Sequence, residues 1–261
     1  MRNLRRYGRN PYNVVLVHGG PGAAGGMAPI GREISDIAGI LEPFQTRMTI
    51  SGLVDELHGA ITARANAPVT LIGHSWGSWL SMIFASQHTN IVNKVILIGS
   101  GAFEESYAKG IMDTRLGRLD GSEKAELLRL NEELDNAGPE RRSELMSAFG
   151  RLMSKADSYA PTDGEDEDMI CDYDIYENIW REAERMRRDG TLMRMAGLVK
   201  CPVVAIHGDH DPHDPDGVRI PLSKSVENFR FILLERCGHE PWHERYAREP
   251  FYDALRSELF R

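Results

Sequence analysis

Six short aliphatic runs limit what this chain can fold into more than any other feature: Val14 to Val17, Ile37 to Leu41, Val69 to Ile72, Val92 to Ile98, Val203 to Ile206 and Phe229 to Leu234. Hydrophobicity that is continuous rather than alternating marks strands covered on both faces, and the amphipathic stretches between the runs mark crossover helices. The pattern predicts a mostly parallel, doubly wound α/β sheet of six buried strands. With 261 residues the chain can bury one large core, or one core with an insertion. None of the runs approaches the ~20 apolar residues that cross a bilayer, so no membrane span is expected.

The rhythm of strand and crossover breaks once, between Gly99 and Cys201, where the interval is far longer than a single crossover helix requires. The interval reads as helical. Asp120 and Glu123 have the spacing of a capping box before Ala125 to Leu134, Pro139 opens a second helix through Leu152, and Ile175 to Arg188 forms a third. Between the last two, Thr162 to Asp168 is so rich in carboxylates that it reads as an exposed loop. The organisation expected is therefore a core of residues 1–100 and 197–261 with a helical cap of residues 101–196.

Directly after the third run stand Gly73, His74, Ser75, Trp76 and Gly77, followed by a helical stretch from Ser78 to Gln87. This is G-x-S-x-G between a strand and a helix, a turn so sharp that the residues two before and two after the serine must lack bulk. The turn lifts Ser75 Oγ clear of the sheet and aims the helix N-terminus, with its partial positive charge, at any oxyanion formed there. The Trp76 N–H is one expected donor. A second glycine-rich loop, His18-Gly19-Gly20-Pro21-Gly22, follows the first run and offers Gly20 N–H as the other. A plain glycine turn explains the first motif but leaves the second unexplained. A phosphate-binding loop shares the physics of the second, yet no G-K-[ST] follows it.

A serine of this kind is followed in chain order by an acid and then a histidine, each in a loop after a later strand. The fifth run leads into His207-Gly208-Asp209-His210-Asp211-Pro212 and the sixth into Cys237-Gly238-His239-Glu240-Pro241. His239 is the expected base, because it alone lies beside glycine after the last run; His74, His88 and His243 are its competitors. Asp209 and Asp214 compete with Asp211 as the acid, and Asp211 is favoured because Pro212 fixes the loop from which it projects. His207, His210 and His213 with the nearby aspartates have the composition of a zinc site, but their spacing straddles a turn. Neither metal nor cofactor is expected.

Together these elements resemble the α/β-hydrolase superfamily. The pair His18-Gly19-Gly20-Pro21-Gly22 and Gly73-His74-Ser75-Trp76-Gly77-Ser78 looks like its prolyl aminopeptidase (proline iminopeptidase) branch, and the likeness covers the core from about residue 12. The resemblance implies an α/β-hydrolase fold and release of an N-terminal residue from a short peptide. Three departures accompany it. His74 stands where the branch more usually has Gly or Gln, Glu42-Pro43-Phe44-Gln45 replaces its Asp-Gln-Arg-Gly segment, and little chain precedes the first run, so the sheet is expected to be trimmed at that edge. An aminopeptidase must also pair the substrate ammonium with a carboxylate. Glu177 and Glu182 on the third cap helix and Glu240 beside His239 are the candidates, whereas Asp163 to Asp168 reads as solvated.

The formal charge of −8 gives nucleic acid no overall attraction. Arg2, Arg5, Arg6 and Arg9 read as a solvated terminus, and Gly8, Asn10, Pro11 and Asn13 interrupt what would be the apolar stretch of a secretory signal. Three cysteines, Cys171, Cys201 and Cys237, without CxxC spacing suit a reducing compartment, so a cytoplasmic location is expected. The function expected is cleavage of an amide or ester in a small molecule or short peptide through an acyl-enzyme. Carboxylester and carbon–carbon hydrolysis stay open beside it, as does a hydrolase-fold protein that binds a ligand without turnover. The oligomeric state is not legible.

Overall fold

Val14 to Val17, Val69 to Ile72 and Val95 to Ile98 are almost wholly apolar, so each can be satisfied only as a strand with helices on both sides. The computed structural model describes residues 3–162 and 170–261 and places them in that way. In chain order the elements are β1 (Leu4–Tyr7), β2 (Tyr12–Val17), β3 (Ala23–Ala24), α1 (Ala28–Glu33), β4 (Gly39–Pro43), α2 (Ile50–Arg64), β5 (Val69–His74), α3 (Trp76–Gln87) and β6 (Val92–Ile98). Next come α4 (Glu105–Ala108), α5 (Ile111–Arg118), α6 (Gly121–Asn136), α7 (Pro139–Asp157), β7 (Ile170–Cys171), α8 (Tyr173–Arg188) and α9 (Thr191–Ala196). The chain closes with β8 (Val203–Gly208), α10 (Asp216–Ser225), β9 (Phe229–Leu234), a 3₁₀ turn (Pro241–His243) and α11 (Arg248–Leu259). No helix among the described residues is long and apolar enough to cross a membrane.

Seven strands form one sheet in the order β1-β4-β2-β5-β6-β8-β9, and every pairing except β1 with β4 is parallel. From β2 the chain first crosses outward to β4 and then returns past β2 to β5. The C-terminal ends of β2 and β5 therefore flank the point where the winding reverses, which is where an open α/β sheet leaves a crevice. One face of the sheet packs on α2, α3, α8, α9 and α10 through Leu53, Leu57, Trp79, Phe84, Ile179, Leu192 and Leu222. The other packs on α1 and α11 through Ile30, Ile34, Phe251 and Leu255.

The sheet has one strand more than the six expected, and its last strand is less buried. Leu-Arg-Arg-Tyr carries no aliphatic run, yet it adds β1 at the edge beside β4, so Arg5 and Arg6 belong to a strand rather than to a loose terminus. At this edge the described sheet ends in one short strand. β9 is the opposite edge. Only Leu234 of its six residues is buried and Leu233 is 51% exposed, because an edge strand has a neighbour on one side alone.

Between β6 and β8 the described residues are mainly helical, with β7 pairing antiparallel to β3. The Asp120–Glu123 capping box forms: Asp120 Oδ1 accepts from the Ser122 and Glu123 amides at 2.9 Å, and Glu123 Oε2 accepts from the Asp120 amide at 3.0 Å. α6 and α7 pack on each other through small apolar groups of their own, such as Leu127 with Ala156 and Leu130 with Leu145. α8 and α9 differ, since Ile175, Ile179, Ala183, Leu192 and Ala196 join the apolar layer under α3. The acidic run Asp163 to Asp168 lies outside the described residues.

Candidate active site

The chain leaves β5 through Ser75, whose φ of +52° and ψ of −120° lie where few side chains other than glycine settle. The strain is held from both sides. Ser75 N–H donates to Ile98 O at 2.9 Å, Ser78 N–H donates to Ser75 O at 3.0 Å, and Ser78 Oγ donates to Gly73 O at 2.8 Å. A Cβ on Gly77 would lie 1.9 Å from Val17 O, so the backbone itself excludes any side chain there. Ser75 alone in the motif is partly exposed, with Gly73, His74, Trp76 and Gly77 buried around it. As the first residue of α3, Trp76 has an amide with no acceptor inside the helix.

Across the crevice the loop after β2 carries Gly20, exposed and at φ +109°. Gln45 braces this loop. Its backbone N–H donates to His18 Nε2 at 3.1 Å, its Nε2 donates to His18 O at 2.7 Å, and its Oε1 accepts from the Trp76 indole at 2.9 Å. Because His18 Nε2 accepts, its Nδ1 carries the proton and donates to Gly19 O at 3.0 Å. Burial pushes His18 down to about 4, so the ring stays neutral and this tautomer persists. One glutamine thus ties both loops expected to bear oxyanion donors.

His239 and Asp211 come together from the loops after β9 and β8. His239 Nδ1 donates to Asp211 Oδ2 at 2.7 Å, leaving Nε2 as the acceptor. Burial is the largest influence on His239 and opposes its cation, but the charge and hydrogen bond of Asp211 outweigh it and hold the imidazole above its ordinary value. Asp211 is also buried, which alone would raise its pKa; the surrounding His239, His213 and His207 reverse that and keep the carboxyl well below the usual range. His74 donates from Nε2 to His239 O at 3.2 Å, and its ring lies 4.9 Å from the His239 ring. Burial keeps His74 neutral. The residue before Ser75 therefore positions the His239 loop, while Ser75 Oγ itself makes no hydrogen bond to His239.

The remaining candidates lie elsewhere. Asp209, the rival acid, accepts from the Cys237 amide at 3.1 Å. His88 stacks on His58, and His210 meets Tyr159 edge-on at 5.2 Å. Donor atoms of Asp211, His213 and His239 converge within 4.8 Å, and both Nδ1 atoms hydrogen-bond the carboxylate. Of the expected ammonium partners, Glu182 Oε2 accepts from the Ile50 amide at 2.9 Å and so serves the N-terminus of α2. Glu177 pairs with Arg181 at the surface, its side chain 44% exposed. Glu240 is partly buried and accepts from Ser154 Oγ at 3.4 Å.

Two residues that sequence patterns do not single out fasten the helical segment to the base loop. Asp157, at the end of α7, accepts the His239 amide on its carbonyl at 3.0 Å and holds Arg115 by a two-pronged ion pair at 2.7 and 2.6 Å. Glu244, 1% exposed, accepts from the Gly238 amide at 2.8 Å and from the Tyr159 and Ala160 amides at 2.7 Å. A buried carboxylate within reach of three amides needs no counter-cation.

The fold agrees with comparisons across known proteins. Human (Homo sapiens) monoacylglycerol lipase ABHD6 is 24% identical over 201 residues, 76% of this chain; the match spans 58% of that protein. Among solved structures, VinJ superposes with a TM-score of 0.69 at 16% identity, covering 98% of this chain and 93% of that one. The proline iminopeptidase of Mycobacterium smegmatis superposes with a TM-score of 0.65 at 18% identity over the same shares. A model of the alpha/beta hydrolase family matches residues 14–254, and the chain belongs to that family.

Proposed function

We propose that this protein is a serine hydrolase that cleaves an ester or amide of a small molecule or short peptide through an acyl-enzyme. The observation that carries the reading is the strained Ser75 at the head of α3, in the crevice that also holds a His239 whose tautomer Asp211 fixes. In the reaction His239 Nε2 takes the Ser75 proton as Oγ attacks the substrate carbonyl, and the Gly20 and Trp76 amides receive the oxyanion. Collapse breaks the bond to the leaving alcohol or amine, which takes the proton from His239. Water, deprotonated by the same nitrogen, then releases the acid.

Within this class, carboxylic ester cleavage is the better supported reading. Of the three carboxylates that could pair with an aminopeptidase substrate's ammonium group, Glu182 and Glu177 are engaged with α2 and Arg181, and Glu240 accepts from Ser154 Oγ. The helices between residues 101 and 196 act as the cap that selects the substrate, and unpaired Cys201 and Cys237 support a cytoplasmic location. A fluorophosphonate probe tests the class: stoichiometric labelling of the native chain, lost in Ser75→Ala, is expected, and no labelling of the native protein overturns the reading. Parallel assays with short-chain aryl esters and Pro-arylamide divide the substrates, with cleavage of the arylamide alone restoring the aminopeptidase assignment.

A further inference from the structure

The Asp211 carboxylate serves two imidazoles. Oδ2 takes His239, while Oδ1 accepts both from the His213 amide at 2.9 Å and from His213 Nδ1 at 2.8 Å. The carboxylate can rotate only by breaking both of these bonds. His213 is fixed in turn from below the loop, where His207 Nε2 donates to its carbonyl at 2.9 Å. The two imidazoles on Asp211 are themselves in contact, with ring centres 4.6 Å apart and planes 30° from parallel.

Resting on the Asp211–His239 reading above, we propose that His213 is a positioning residue of the triad: its Nδ1–H fixes the plane of Asp211 and draws off part of the charge that Oδ2 presents to His239. A lysine or arginine here would cancel the charge the base needs, whereas a neutral imidazole restrains the carboxylate and leaves it anionic. Contact between the rings disfavours two imidazolium ions at once. Burial holds His213 below its ordinary value, so the proton taken from the serine resides on His239. The other groups facing this pair are His74 from β5, His207 from β8, Asp157 from α7 and the cations Arg115 and Arg118 from α5. None of them hydrogen-bonds Oδ1.

The test is a titration of the full chain labelled with ¹⁵N-histidine, with His239 and His213 assigned by loss of signal in His239→Gln and His213→Asn. In the native protein both rings are expected as Nδ1–H tautomers at neutral pH. In His213→Leu the donor is gone, the His239 midpoint rises by about half a pH unit or more, and ester turnover at pH 6 falls about threefold relative to its plateau. His213→Asn, whose Nδ2 stands where Nδ1 stood, restores both readings. An unchanged His239 midpoint in folded His213→Leu overturns the proposal. So does a native His213 in the Nε2–H form, a result that does not depend on His213→Leu folding. Absence of turnover by the native chain refutes the hydrolase reading, and the titration still decides the role of His213.

Discussion

Glycines of the crevice and glycines of the helical segment obey different rules. A Cβ on Gly77 would meet Val17 O at 1.9 Å and one on Gly238 would meet Asp157 O at 2.1 Å, whereas Gly117 and Gly150 have nothing within 4 Å of theirs. Around Ser75 and His239 the backbones touch one another directly, so position is set by main chain that cannot yield. At Gly117 in α5 and Gly150 inside α7 no backbone comes close, and the packing there is done by side chains, which can. The lesson is that main chain fixes the surroundings of Ser75 and His239, while the interiors of α5 and α7 are not held in that way.

That contrast can be broken most decisively at the triad. Ser75→Ala and His239→Ala are expected to lower kcat by on the order of 10⁴-fold or more with unchanged circular dichroism, and Asp211→Asn by a similar factor through the wrong His239 tautomer. Native kcat/KM should fall as pH drops through a midpoint above 6.5, because Asp211 favours the His239 cation and only the neutral ring accepts the serine proton. A midpoint below 6.5 contradicts that electrostatic account. Next in size, Gly77→Ala should cost about 3 kcal/mol or more in denaturant unfolding; a loss under about 1 kcal/mol would mean that the two backbones can part. Glu182→Gln, which weakens the partner of the α2 N-terminus, should cost at most about 1 kcal/mol and leave ester kcat/KM within twofold. A selective loss on Pro-arylamide would instead return Glu182 to the substrate site. Smallest, Gly150→Ala inside α7 should raise stability by about 0.5–1 kcal/mol without changing the rate. Destabilisation there would show that the helical segment is as tightly set as the crevice.

The same division explains what could be read from residue order. The turn at Ser75 was legible because periodicity changes from strand to helix across G-x-S-x-G, and Asp211 and His239 because each follows an aliphatic run. Helix starts with local chemistry, such as Asp120 with Glu123, were legible as well. β1 was not, since Arg5 and Arg6 face an edge that needs no apolar run. Gln45 with Trp76 and Glu182 with Ile50 are contacts between residues far apart in the chain, and no spacing announces them. The histidines at 207, 210 and 213 formed one cluster by spacing, but the loop turns His210 toward Tyr159 and brings only His207 and His213 to Asp211.

Glu244 bears on how such a protein diversifies. Its carboxylate binds the amides of Tyr159 and Ala160 as firmly as that of Gly238, so the stretch from Asp157 to Ala160 belongs mechanically to the base loop although it lies inside the helical excursion. A graft that exchanged the whole excursion for that of a relative would remove this clasp and release His239 along with it. On the triad and cap readings proposed above, chimeras that keep residues 157–160 and Arg115 and replace only the α6–α7 hairpin should keep His239 on Asp211 while changing which substrates are cleaved.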